Sequence, residues 1–186
     1  MFKINIVTED LRWKKEVPMI EKILKKNFKK TFTFLGYVAK KQNLEISVLL
    51  TNKEAMKKLN KNFRKIFIIL GYVAKKQNLE ISVLLTNKEV MKKLNKNFRK
   101  TKKDTDVLSF PNYEKNFFLK KKNIKDIYLG DLAFSYDYIK KQKFDFLNYI
   151  NKIFIHGCLQ LIGYEHNNLK SYRVMSLVEK KLLSDI

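Results

Sequence analysis

The chain has 186 residues, 45% of them hydrophobic and 13% aromatic, which predicts one folded domain with a buried core and excludes a disordered chain. Its net charge of +22 favours a polyanionic partner, nucleic acid before an acidic membrane surface, although a lysine-rich composition is equally typical of an AT-rich genome. No apolar run reaches the ~18 residues of a membrane-spanning helix, and the alternating residues 1–7 are unlike a signal peptide.

The first elements follow from the spacing of apolar residues. Alternating apolar and polar residues predict a strand over 2–8, and helical spacing predicts a helix over 18–41 that begins with a proline. A strand over 44–50 follows. A continuous helix over 52–77 would be about 39 Å long, so we expect a kink or break near Gly71.

The second half of the chain continues the alternation and then ends in helices. The predicted elements are a strand over 79–85, a helix over 87–99, a strand over 105–111, a loop-like segment over 114–126, a strand over 127–135, a helix from about 136 or 143 to 162, and a helix over 168–184. This order predicts an α+β (mixed α/β) fold, with a small mixed β-sheet packed by helices.

A near-identical tandem repeat occupies residues 35–65 and 70–100, with 30 of 31 positions identical. Solenoid repeats diverge more and come in three or more copies, so this pattern indicates a recent in-frame duplication or an artefact of sequence assembly. We predict a single domain over 1–186. The second copy should fill the sheet, and the first should form an added strand–helix unit.

Both histidines of the chain lie in one window, HGCLQLIGYEH, from His156 to His166. Histidine is the commonest metal ligand among side chains. Positions 156 and 160 lie one turn apart on one face of a helix. Gly163 lets the chain leave that helix through a left-handed turn, which can bring His166 back to the same point. The window therefore predicts a three-ligand metal site with an open fourth position, in which the middle position holds Gln160.

Gln160 changes what this site can be expected to do. Zinc prefers thiolate, imidazole or carboxylate ligands, and a neutral amide oxygen is a poor substitute. Gln160 is therefore interpreted either as a weak ligand or as a hydrogen-bonding residue without metal contact, with Glu165 as a possible replacement ligand. Gly157 stands where metalloproteases carry a glutamate base, which argues against peptide hydrolysis. Cys158, the only cysteine, should be a core residue, and its isolation predicts a reducing cytoplasm.

Several segments together resemble the YbeY endoribonuclease family. HGCLQLIGYEH is similar to the family signature HGxLHLxGYDH. LNKNFR at 94–99, followed by TDVLSFP at 105–111, resembles the other hallmark. Residues 129–131 (LGD), Met175 and Glu179 also fit the family pattern. The resemblance covers the whole chain apart from one repeat unit.

The resemblance implies a cytoplasmic, metal-dependent endoribonuclease that cuts single-stranded RNA. It implies a role in 3′-end maturation of 16S rRNA and in ribosome quality control. Its partners would be ribosomal RNA and the small ribosomal subunit, with no membrane and no DNA. Carried over by position, one Zn²⁺ would be held by His156, Gln160 and His166. The active-site arginine falls on Arg99 rather than on its duplicate Arg64, because only Arg99 leads into TDVLSFP.

A bound Zn²⁺ would act as a Lewis acid on a phosphodiester and lower the pKa of a bound water to about 7, while the arginine would stabilise charge on the phosphate. Two alternatives stay open. Because of Gln160, the chain could be a catalytically weakened protein that binds RNA or the ribosome. It could also be a decayed or artefactual product of the duplication.

Overall fold

The computed structural model of the chain describes residues 2–40, 78–114 and 126–184. Over these ranges the chain forms four strands, five α-helices and a short 3-10 helix. In order they are β1 (Phe2–Thr8), the 3-10 helix (Leu11–Trp13), α1 (Val17–Lys40), β2 (Asn78–Thr86), α2 (Lys88–Arg99), β3 (Val107–Pro111), β4 (Asp126–Ser135), α3 (Tyr136–Lys140), α4 (Phe146–Leu161) and α5 (Leu169–Ser184). None of the helices in these ranges is long and apolar enough to cross a membrane.

The four strands form one mixed sheet in the order β1-β2-β4-β3. β2 pairs in parallel with β1 and with β4, whereas β3 runs antiparallel to β4 at the edge. Along β2 the apolar side chains alternate with partly exposed ones, and Leu79, Ile81, Val83 and Leu85 are buried, as expected for a strand that presents one face to the core. The predicted α+β fold with a small mixed sheet is confirmed.

The second repeat copy supplies β2 and α2, so it provides a central strand of the sheet. The N-terminal end of α2 is capped by Asn87, whose side chain accepts a hydrogen bond from the backbone N–H of Val90 at 3.0 Å. The first copy begins within the end of α1. Its predicted strand over 44–50, and the predicted helix over 52–77 with its break at Gly71, lie outside the described residues.

Helix α4 is the centre of the core. It packs against α1, α5, β3 and β4, and most of its residues are buried, which is the pattern of a helix surrounded by other elements. Phe28 of α1 meets Phe154 of α4 edge to face, with 6.4 Å between the ring centroids. Trp13 is fully buried, and its indole N–H donates a hydrogen bond of 3.0 Å to the carbonyl of Thr86.

The helix predicted from about 136 or 143 to 162 is two helices, α3 and α4. Each has its own N-cap: Ser135 accepts from the N–H of Tyr138, and Asp145 accepts from the N–H of Asn148. The break therefore has a local cause, because the Asp145 side chain satisfies the first N–H groups of a new helix.

Helix α4 approaches β4 closely at one glycine. A Cβ atom added at Gly157 would lie 2.7 Å from Cδ2 of Leu132, a fully buried side chain. Such a separation is too short for two carbon atoms in contact. Gly157 thus sets the depth at which the rest of α4 lies against the sheet.

Candidate active site

The three predicted ligand positions come together at the C-terminal end of α4. His156 and Gln160 lie one turn apart, and Gly163 adopts a φ of 94° that lets the chain turn back after the helix. The rings of His156 and His166 are 5.4 Å apart between centroids. The Nε2 atoms of Gln160 and His166 are 2.9 Å apart.

His156 is oriented by a carboxylate from another helix. Its Nδ1 donates to Oε1 of Glu179 in α5 across 2.6 Å, and both side chains are largely buried. This bond leaves Nε2 of His156 as the nitrogen with a lone pair. A carboxylate behind a histidine is the arrangement that commonly fixes the tautomer of a metal-binding imidazole. The sequence identifies Glu179 only as fitting the family pattern and indicates no role for it.

Gln160 is held between two side chains. The hydroxyl of Ser109, in β3, donates to Oε1 of Gln160, and Nε2 of Gln160 donates to Nε2 of His166. The amide oxygen therefore faces β3, while the amide N–H faces the histidine. Sequence reasoning missed Ser109, and the available signal was a polar residue in the middle of the apolar TDVLSFP strand.

Two of the three positions suit a zinc ion, but Gln160 in its observed orientation does not. His156 and His166 offer imidazole nitrogens, which zinc prefers, whereas the N–H group that Gln160 turns towards His166 cannot ligate a metal. Across the described ranges, no three His, Cys, Asp or Glu side chains are grouped so that they could hold a metal ion.

Arg99 reaches the same part of the molecule from α2. The helix ends there because Lys100 adopts a left-handed conformation with a φ of 57°. A guanidinium nitrogen of Arg99 donates to the backbone carbonyl of Ser109 at 3.3 Å. Ser109 thus contacts Arg99 through its main chain and Gln160 through its side chain. The duplicate arginine, Arg64, lies outside the described residues.

Cys158 is a core residue, as the sequence predicts. It is fully buried, and burial raises the pKa of its thiol because the thiolate would lose its hydration. It is therefore neither a nucleophile nor a metal ligand.

Comparison with known proteins supports the resemblance that the motifs indicate. The family model described as Endoribonuclease YbeY matches residues 66–186. The chain is similar to Endoribonuclease YbeY of Pelagibacter ubique (strain HTCC1062), with 41% identity over 183 residues that cover 94% of this chain and 90% of the relative. It is also similar to Endoribonuclease YbeY of Phytoplasma australiense, with 35% identity over 86 residues, 44% of this chain and 57% of the relative.

Among solved structures, the chain matches the solution structure of a Thermotoga maritima protein at 19% identity, with a TM-score of 0.37, over 73% of this chain and 86% of the other. The family model covers well over half of the chain, and the Pelagibacter relative is matched over nearly its whole length. The chain therefore belongs to the YbeY endoribonuclease family.

Proposed function

We propose that this chain is a metal-dependent endoribonuclease that cuts single-stranded RNA in the cytoplasm, in the 3′-end maturation of 16S rRNA and in ribosome quality control. The observation that carries the proposal is the meeting of His156, Gln160 and His166 at one end of α4, joined through Ser109 to Arg99. Ribosomal RNA and the small ribosomal subunit are the proposed partners, and the net charge of +22 suits both.

In this proposal His156 and His166 hold one Zn²⁺ and Gln160 contributes at most an amide oxygen. When bound, the metal would polarise a phosphodiester oxygen and lower the pKa of a bound water. Glu179 keeps the proton of His156 on Nδ1, so that Nε2 stays available as a donor atom.

Arg99 would bind the scissile phosphate. A guanidinium has five N–H donors, and the bond to the Ser109 carbonyl uses one of them. The others can form paired hydrogen bonds to phosphate oxygens and stabilise the charge that develops there during cleavage.

A second candidate function, an RNA- or ribosome-binding protein with weakened catalysis, is favoured by the orientation of Gln160. For its oxygen to face a metal, the amide must rotate so that Nε2 donates to Ser109 and the Ser109 hydroxyl accepts instead of donating. A hydroxyl can do either, so the rotation is allowed, but the metal must displace the bond between Gln160 and His166.

The deciding experiment measures zinc per chain by mass spectrometry and cleavage of a single-stranded RNA, with and without a chelator. We expect bound zinc and cleavage that the chelator abolishes. Arg99→Ala should lose cleavage while it keeps the zinc, and Arg99→Lys should recover only part, because lysine cannot form the paired phosphate contact. Cleavage that survives metal removal would contradict the enzyme proposal. RNA binding without zinc or cleavage would favour the second candidate.

A further inference from the structure

Two stacked aromatic rings, one exposed and one partly buried, lie at the N-terminal end of α4. Phe144 is 67% exposed. Its ring stacks on that of Tyr149, with 6.2 Å between centroids and 18° between planes. Single exposed apolar side chains are ordinary, but the exposed ring of Phe144 lies nearly parallel to the partly buried ring of Tyr149, which packs against the core. The Phe144 ring therefore presents a supported flat face to solvent.

A lysine completes this surface. The Nζ atom of Lys152 lies 6.0 Å from the ring centroid of Phe144 and 6.0 Å from that of Tyr149. We call Phe144, Tyr149 and Lys152 the stacking patch. It combines flat apolar area with positive charge, which is the composition of surfaces that bind unpaired nucleic acid bases and their phosphates.

The ring of Tyr149 is held in place by a hydrogen bond to Asp106. Its hydroxyl donates to Oδ2 of Asp106 at 2.8 Å, and Oδ1 of Asp106 accepts from the N–H of Val107 at 2.8 Å. The ring is therefore anchored to the beginning of β3. An anchored ring loses less conformational freedom on binding than a mobile one.

The stacking patch and the candidate active site are joined by the same two elements. Tyr149 and His156 are seven residues apart on α4, which is about 10 Å along the helix and about 20° around it. Asp106 and Ser109 are three residues apart at β3, again about 10 Å. Since α4 packs against β3, Tyr149 and Asp106 lie about 10 Å from His156 and Ser109 along these two elements.

We propose that the stacking patch binds unpaired bases of the RNA strand whose phosphodiester lies at the candidate active site. This inference rests on the proposed function and deepens it, because it gives a physical origin for the choice of single strands. Bases in a duplex are stacked on one another and cannot lie on Phe144. An unpaired base can, and every base has a face that stacks, so the patch selects single strands without selecting sequence.

The test compares two short single-stranded probes of equal length, oligoadenylate and an abasic ribose-phosphate oligomer, with chelator present to suppress cleavage. Phe144→Ala should weaken binding of oligoadenylate about tenfold, a factor in the range known for base–aromatic stacking, and leave the abasic probe unaffected. Phe144→Trp should restore binding. Met19→Ala, at a 53% exposed apolar residue of α1, is the matched control and should change neither probe.

Lys152→Ala should weaken both probes and reduce the salt dependence of binding by about one phosphate contact, a slope change of about 0.7 for a single strand. Lys29→Ala, at an exposed lysine of α1, is its control.

Equal binding by Phe144→Ala and Met19→Ala would overturn the inference, as would equal binding of the two probes by the unmodified chain. It would also fall if Phe144→Ala weakened binding to anionic lipid vesicles and left RNA binding unchanged. Cleavage is measured separately. If the chain cleaves RNA but its RNA binding does not depend on Phe144, the inference about the stacking patch is wrong and the proposed function stands. Binding that depends on Phe144 without cleavage would keep the patch and favour the RNA-binding alternative.

Discussion

The two histidines of the site are held in opposite ways. His156 is largely buried and oriented by the carboxylate of Glu179, whereas His166 is exposed and accepts a hydrogen bond from the neutral amide of Gln160. The bond to Glu179 leaves the lone pair on Nε2 of His156 available, whereas the bond from Gln160 occupies the lone pair on Nε2 of His166. We therefore propose that Gln160 weakens metal binding in two ways, because an amide oxygen is a poor zinc ligand and because the amide N–H competes with the metal for His166.

The largest effect on zinc affinity should come from Gln160→His, which places an imidazole at the third ligand position as well. A third imidazole replaces the amide and frees Nε2 of His166. Zinc affinity should therefore rise about 100-fold or more, because even the loss of a residue that only hydrogen-bonds a metal ligand typically changes metal affinity about 10–100-fold. A competition titration with a chromogenic zinc chelator measures it. Gln160→Leu, of similar size and without any atom that could ligate a metal or form a hydrogen bond, is the control. Unchanged affinity in Gln160→His would show that the amide is no obstacle.

The next largest effect on zinc affinity should come from the contact between Glu179 and His156. In the Gln160→His background, Glu179→Gln should lower zinc affinity about 10–100-fold, because a neutral amide orients and polarises the His156 ring less than a carboxylate does. The same titration applies, with Glu114→Gln, at an exposed glutamate, as control. If Glu179→Gln changed thermal stability but not zinc affinity, the carboxylate would be only structural.

A smaller effect tests the hold of Ser109 on the amide. Ser109→Ala removes the hydrogen bond between the Ser109 hydroxyl and Gln160, and a bond of this kind contributes about 1 kcal/mol. Because the hydroxyl can donate to Oε1 or, with the amide rotated, accept from Nε2, it supports both orientations of the amide. Zinc affinity of the otherwise natural chain should therefore change by less than about fivefold in the same titration. A rise well above fivefold would mean that Ser109 holds the amide oxygen away from the metal.

The smallest effect concerns an ion pair outside the site. It tests whether zinc affinity depends only on the contacts within the site. Hydrogen bonds from Arg12 lower the pKa of Asp137 to about 2. Since this pKa is below its usual value, the stabilisation is present above pH ~4 and is lost as the pH falls towards 2. Because Arg12 is about half exposed, the pair should contribute about 1 kcal/mol or less.

Asp137→Asn should accordingly lower the free energy of urea unfolding slightly at pH 7, and the difference from the unmodified chain should vanish near pH 2. Zinc affinity should not change. A change in zinc affinity would mean that the site responds to the stability of the whole domain rather than to its own contacts.

Much of the fold could be predicted from periodicity. The strand over 2–8 and the helices over 18–41 and 168–184 agree with β1, α1 and α5 to within one or two residues, because each has a sustained apolar pattern. The 3-10 helix that ends at Trp13 was missed, since three residues carry no period. The repeat organisation stays a prediction, because most of the first copy lies outside the described residues.

The site could be predicted in part. Helical spacing was sufficient to place Gln160 beside His156, and the left-handed turn at Gly163 was expected from its residue type. The contacts of Glu179 with His156 and of Ser109 with Gln160 join residues 23 and 51 positions apart. No local pattern reports such contacts, because they arise only when α5 and β3 pack against α4.

The close approach of α4 to β4 also limits which reactions can evolve at this site. A glutamate directly after the first histidine is what peptide-cleaving metal sites use as their base, and here that position is Gly157, where even a methyl group would meet Leu132 at 2.7 Å. Introducing that base would therefore require the fully buried Leu132 side chain to move. The packing at one glycine is therefore an obstacle to protease chemistry at this site.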